Sequence, residues 1–179
     1  MRVIVSLGAS LITAAVLHKL QWSERRDKER IEYVILVLYF LVILWITIFS
    51  RDASDETVFY YDIIKSHTYI ISTIAEGFKK SGFQGALQRF RWVEGTVEGH
   101  TLNTVLFIPV GYLIPICYKK ADRWYRIVIL GCVISIAIEV TQLITRRGWF
   151  DANDIYHNTL GTLIGWFIFR KWIKVSTEE

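Results

Sequence analysis

Cysteine and proline are both scarce, at two residues each in 179. Cys117 and Cys132 fall in apolar runs, so neither is placed for a disulfide on an extracellular surface, and both read as small buried apolar residues. Pro109 and Pro115 are the only candidates for a broken helix within an apolar span. No internal repeat or low-complexity tract divides the chain, which argues for one domain over residues 1–179. Gly-x-Ser-x-Gly, phosphate-loop and dinucleotide fingerprints are missing, so the enzyme classes they mark have no support. His-Glu-x-x-His is missing too.

Apolar residues are abundant. They make up 53% of the chain, with seven Trp, nine Tyr and ten Phe, a composition that points to a membrane protein. Val3–Leu20, Tyr33–Ser50 and Tyr125–Ile144 approach the ~18–20 apolar residues that cross a bilayer. Leu102–Tyr118 and Ile155–Ile173 carry more polar residues and glycines but are also long enough. The expectation is an all-α, polytopic bundle of five transmembrane helices. Arg2 ahead of an apolar run with Thr13, Ala14 and Ala15 also fits a cleaved signal sequence. Continuation of the run to Leu17 and the basic segment behind it favour a retained helix.

Basic residues set the orientation. Lys19, Arg25, Arg26, Lys28 and Arg30 follow the first run; Lys119, Lys120, Arg123 and Arg126 follow the third; Arg170, Lys171 and Lys174 sit at the end. In a five-span chain these segments share one side, giving a cell-membrane protein with its N-terminus outside and its C-terminus cytoplasmic. The net charge of +4 then reflects anchoring, and no nucleic-acid partner is expected. Between spans two and three lies an external insertion, about residues 52–101. Ser54, Asp55 and Glu56 suggest a helix start there, and Tyr60, Ile63, Ile64, His67, Ile70, Ile71, Ile74 and Phe78 recur at helical spacing. Gly77 and Gly82 are expected to break that helix, and a short amphipathic stretch follows with Phe83, Ala86, Leu87 and Phe90. Such segments either lie in the interface above a cavity or pack on the bundle's end.

Charge and apolarity collide between spans four and five. Ser135, Glu139 and Gln142 share one face of span four, while Asp154, Asn158, Gly161 and Gly165 form a stripe on span five. With Arg51, Asn103, Arg147 and Asp151 they fall at one end of their helices. Ionisable groups at membrane depth need a partner, water or a ligand. Each residue also has an ordinary explanation. Asp154 would cap span five, Glu139 would pair with Arg51 or Arg147, Arg146 would be solvated, and Asn103 and Asn158 would bond across helices. Convergence of both charge signs favours a binding site made of Arg51, Asn103, Glu139, Gln142, Arg147, Asp151, Asp154 and Asn158. Glu139 is the candidate acid or base, with Arg51 and Arg147 suited to a phosphate. His100 and His157 flank the region, but with Glu139, Asp151 and Asp154 they form no recognised metal spacing, so neither metal nor cofactor is expected.

These blocks resemble the VanZ family of bacterial membrane proteins, named for a protein associated with low-level teicoplanin resistance. Its Asn-x-x-Leu-Phe-x-Pro-x-Gly element is similar to Asn103, Leu106, Phe107, Pro109 and Gly111. Its Glu-x-x-Gln followed by Arg-x-x-x-Asp-x-x-Asp-x-x-x-Asn-x-x-Gly-x-x-x-Gly is similar to Glu139, Gln142, Arg147, Asp151, Asp154, Asn158, Gly161 and Gly165. An Arg soon after the second span is also typical, and Arg51 matches it. The resemblance covers roughly residues 33–172. It implies a link to lipoglycopeptide resistance, while the paired Arg and acidic residues at one depth point to a pocket that binds an anionic or amphiphilic envelope molecule. Two alternatives stand beside that reading: an envelope-lipid hydrolase or transferase using Glu139, and a structural accessory protein. A transporter is disfavoured because no inverted repeat is visible.

Overall fold

The computed structural model describes residues 8–9, 11–13, 15–16, 25–54, 58–118 and 123–178. Its elements are α1 (Arg25–Leu44), a π-helical continuation (Trp45–Phe49), β1 (Phe59–Tyr60), α2 (Ile63–Cys117), α3 (Trp124–Thr145), β2 (Phe150–Asp151) and α4 (Ala152–Glu178). Among the described residues three helices are long and apolar enough to cross a membrane: Arg30–Phe49, Ile63–Cys117 and Trp124–Thr145. The expected first span, Val3–Leu20, lies largely outside the described residues.

Outward and inward faces of these helices are both apolar. On α1, Leu36, Tyr39 and Ile43 are buried while Val34, Val37, Leu38 and Leu41 are exposed. On α3, Ile127 and Ile138 are buried while Ile129, Val133, Ile136 and Val140 are exposed. A helix that is hydrophobic all round belongs in a large core or in lipid, and the exposed sides of these helices are suited to acyl chains. The internal core joins α1, α2 and α3 through Tyr39, Ile43, Phe107, Val110, Leu113 and Ile127. Tyrosines pin α1 to α2 at two levels. The Tyr39 hydroxyl donates to the Leu106 carbonyl at 2.8 Å, and the Tyr33 hydroxyl to that of Cys117 at 2.9 Å.

α2 is a hairpin. At Ser81 and Gly82 the backbone leaves the helical region, with Gly82 at φ 58°, ψ −145°. The chain doubles back there: a Cβ on Gly77 would run into the Gly85 carbonyl, and the rings of His67 and His100 lie only 5.2 Å apart. A straight helix would separate those histidines by ~50 Å. The arms are therefore residues 63–80 and 83–117. The second arm would extend ~50 Å, more than a ~30 Å hydrocarbon core, so its early turns have to project beyond it if the later turns span.

Of the helix start expected at Ser54, Asp55 and Glu56, the last two lie outside the described residues, and the described helix begins later, at Ile63. Asp62 caps the first arm, accepting from the Lys65 amide at 2.8 Å, while Tyr60 belongs to β1 and not to the helix. The break expected at Gly77 is also absent; the helix passes through it and turns at Gly82. The short stretch from Phe83 is no separate element, because it runs without interruption into the expected third span, through both prolines. Gly82 supplies the one positive-φ glycine among the described residues. With nothing within 4 Å of an added Cβ, Gly82→Ala meets backbone strain alone. The expected cost is ~1–3 kcal/mol, read as a lower thermal midpoint of the detergent-purified protein.

α4 closes the bundle through small residues. Cβ atoms on Gly161 and Gly165 would strike the carbonyls of Thr104 and Ile108, and one on Gly111 would strike that of Thr162. The backbones of α2 and α4 thus touch, the arrangement that small residues permit between apolar helices. Gly131 of α3 gives the same clearance to the Thr162 side chain.

Candidate functional site

The polar site forms where α1 ends, α3 ends and α4 begins. Its outer wall is the two-residue parallel pairing of β1 with β2, which places Phe59 against Phe150 and Tyr60 against Asp151. Tyr60 and Trp149 rings stand 5.7 Å apart. The cavity behind them has a volume of about 310 Å³, and Arg51, Arg147, Asp151 and Asp154 line it together with Asp52, Ser54, Tyr60, Gly148 and Trp149.

The end of α1 is shaped by its π turn. Ser50 N–H reaches back five residues to Trp45 at 2.8 Å, and the Arg51 amide goes to Ile48 rather than Thr47. The Thr47 carbonyl is thereby available to the Gln142 side-chain amide, which donates to it at 2.9 Å. Gln142 is 1% exposed, and its Oε1 has no hydrogen-bond partner. Arg147 seals the same helix end, donating to the carbonyls of Arg51 at 3.0 Å and Phe49 at 3.4 Å. A cation over C-terminal carbonyls also complements the helix dipole.

α3 stops in a reverse turn. Arg146 takes the left-handed conformation (φ 54°), its amide bonds the Leu143 carbonyl, and the Arg147 amide bonds that of Gln142 at 2.9 Å. This is the Schellman pattern with arginine where glycine is usual. The turn delivers Asp151 to Glu139, whose Oε2 accepts the Asp151 amide at 2.8 Å. Glu139 is 1% exposed. Its carboxylate sits within electrostatic reach of Arg51, Asp151 and Asp154.

Asp151, not Asp154, caps α4: its Oδ1 accepts the Asn153 amide and the Asn153 side-chain amide, both at 2.8 Å. That arrangement corrects the capping role considered for Asp154. Asp154 instead receives a hydrogen bond from Asn103 and lies in the field of Arg51. One turn further on, Asn158 donates to the Ser135 hydroxyl at 2.8 Å.

Four of the eight expected residues, Arg51, Arg147, Asp151 and Asp154, therefore meet on the cavity wall. Glu139 and Gln142 support that wall from beneath, and Asn103 joins it through Asp154. Asn158 is engaged inside the helix contact instead. Tyr60, Gly148 and Trp149 carry no signal in the sequence, because a two-residue bridge between distant loops leaves no periodicity. Gly148 has a steric reason to be there: a Cβ would stand 2.8 Å from the Arg51 guanidinium and 3.2 Å from Gln142 Oε1.

Apolar helices whose shared end carries a charged cavity define the class, a helical membrane protein. A sequence model of the VanZ/LLP1 family matches residues 36–174, and the chain belongs to that family. No curated protein and no solved structure matches it significantly.

Proposed function

We propose that this chain is a multi-pass membrane protein, with its N-terminus outside and its C-terminus cytoplasmic, whose cavity binds an anionic or amphiphilic molecule of the cell envelope. Family membership supports a link between that binding and glycopeptide resistance. The observation that carries the reading is Arg51. Arg51 lines the cavity, and its buried Nε has no hydrogen-bond partner in the protein. An arginine at a cavity wall whose guanidinium is not fully matched by the protein is suited to a phosphate or carboxylate oxygen of a ligand.

Arg147 is a poorer probe because it already holds two backbone carbonyls. The test is therefore Arg51→Ala, with the exposed Arg146→Ala as the control. Detergent-purified proteins are compared by mass spectrometry of co-purifying lipids and by retention on phosphatidylglycerol against phosphatidylcholine liposomes. Loss of a charge-assisted hydrogen bond should weaken anionic retention ~10-fold or more. Equal retention by wild type and Arg51→Ala would remove the pocket reading.

The hydrolase or transferase alternative has narrower support. Glu139 does not line the cavity, and its Oε2 is occupied by the Asp151 amide. That alternative requires turnover of a labelled envelope lipid which Glu139→Gln abolishes while binding persists.

A further inference from the structure

The polar cavity does not use a second cluster, the imidazoles of His67, His100 and His157. These come from the first arm of α2, its second arm, and α4. Their ligand nitrogens all lie within 4.8 Å of one another. The His100 and His157 ring centroids are 4.3 Å apart, and His67 stands 5.2 Å from His100 and 5.3 Å from His157. We propose that His67, His100 and His157 form a binding site for a divalent transition-metal ion, with zinc as the best-matched occupant.

Hydrogen bonding fixes which nitrogen is available on His157 and His67. The Thr104 hydroxyl has a single proton, which it donates to the His100 carbonyl at 3.0 Å, so toward His157 Nδ1, at 3.2 Å, it accepts. Nδ1 of His157 therefore carries the hydrogen, and Nε2 presents a lone pair. That Nε2 is buried and unmatched, on a side chain only 9% exposed. His67 is set the same way, because its Nδ1 lies 2.8 Å from the Ile63 carbonyl, which can only accept. Nε2 of His67 is again the lone-pair atom. A ring N–H held by a carbonyl or hydroxyl while the other nitrogen stays open is how metal-binding histidines are oriented.

Packing alone gives no reason for this arrangement, since apolar side chains would fill the same space without an orphaned acceptor. Imidazole ligands suit zinc, copper, iron and nickel. Tetrahedral zinc with bonds of ~2.0–2.1 Å places its nitrogens ~3.3 Å apart, so the three rings would have to rotate out of the present stack to close on the ion. Asp151 acts electrostatically on His100 and adds negative potential beside the cation. Three protein ligands leave a fourth position for water or a ligand oxygen. Two of the three histidines belong to the hairpin, so the ion would staple both its arms to α4.

The test uses full-length protein carrying a histidine-free affinity tag, stripped with chelator and titrated with Co2+, then challenged with Zn2+. Wild type is expected to take up equimolar Co2+ with a visible absorption band, release it to Zn2+, and gain thermal stability with Zn2+. His67→Ala and His157→Ala should weaken binding by more than the ~10–100-fold that loss of an outer hydrogen-bond partner costs, and Thr104→Val by ~10-fold. His67 is only half-buried, so His67→Ala is expected to keep the metal-free melting temperature and to lose only the Zn2+-dependent rise. His67→Cys restores it. No uptake by wild type, or unchanged affinity in His67→Ala, overturns the site. Anionic-lipid retention in metal-free protein tests the Arg51 cavity separately.

Discussion

Gly165→Val is expected to cost ~4 kcal/mol or more, seen as a collapse of the thermal midpoint and loss of monodisperse protein in detergent. A Cβ at Gly165 would overlap the Ile108 carbonyl and come within 2.9 Å of the Tyr112 amide nitrogen. Those obstacles are backbone atoms of a buried helix, which cannot swing aside as a side chain can. Gly161 and Gly111 make the corresponding approaches to Thr104 and Thr162, so one substitution spreads α2 from α4 along the whole contact. The sign reverses at Gly95 on the second arm of α2, which is exposed and has nothing within 4 Å of an added Cβ. There Gly95→Ala should raise stability by ~0.5–1 kcal/mol, because alanine loses less backbone entropy in a helix. Should Gly165→Val melt with wild type, the two helices are not in backbone contact.

The same contrast separates what is legible in the sequence from what is not. Apolar runs of span length and polar residues at three- and four-residue spacing are enough to identify α1, α3 and the end of α2. They also bring Arg51, Arg147, Asp151 and Asp154 to one place. The hairpin is not legible. Glu94 and Glu98 interrupt the apolar pattern in a hydropathy reading, yet both lie on the exposed side of a continuous helix. Gly77 and Gly82 look alike as helix breakers, yet Gly77 is there to admit Gly85 and only Gly82 has the backbone that turns the chain. In sequence, His67 is one polar member of a helical repeat of apolar residues. Its significance arises from tertiary folding, which places it beside His100 and His157.

Glu139 is where stability and function come apart most clearly. Glu139→Ala is expected to destabilise the protein by ~3 kcal/mol or more, because it opens a void at a 1% exposed position and leaves the Asp151 amide without its acceptor. Glu139→Gln keeps the volume and an oxygen for that amide, so its melting temperature should stay near wild type. The pair separates a carboxyl group that builds the site from one that reacts in it. If Glu139 is structural, resistance and lipid retention survive in the Gln variant and fall in the Ala variant in step with folded protein. An acid or base at this position would give the opposite pattern, a Gln variant that folds and binds but is inactive. The geometry favours the first outcome: the Glu139 oxygen that reaches toward α4 is already bonded to the residue that starts it, so the buried carboxyl group fixes Asp151 and Asp154 opposite Arg51.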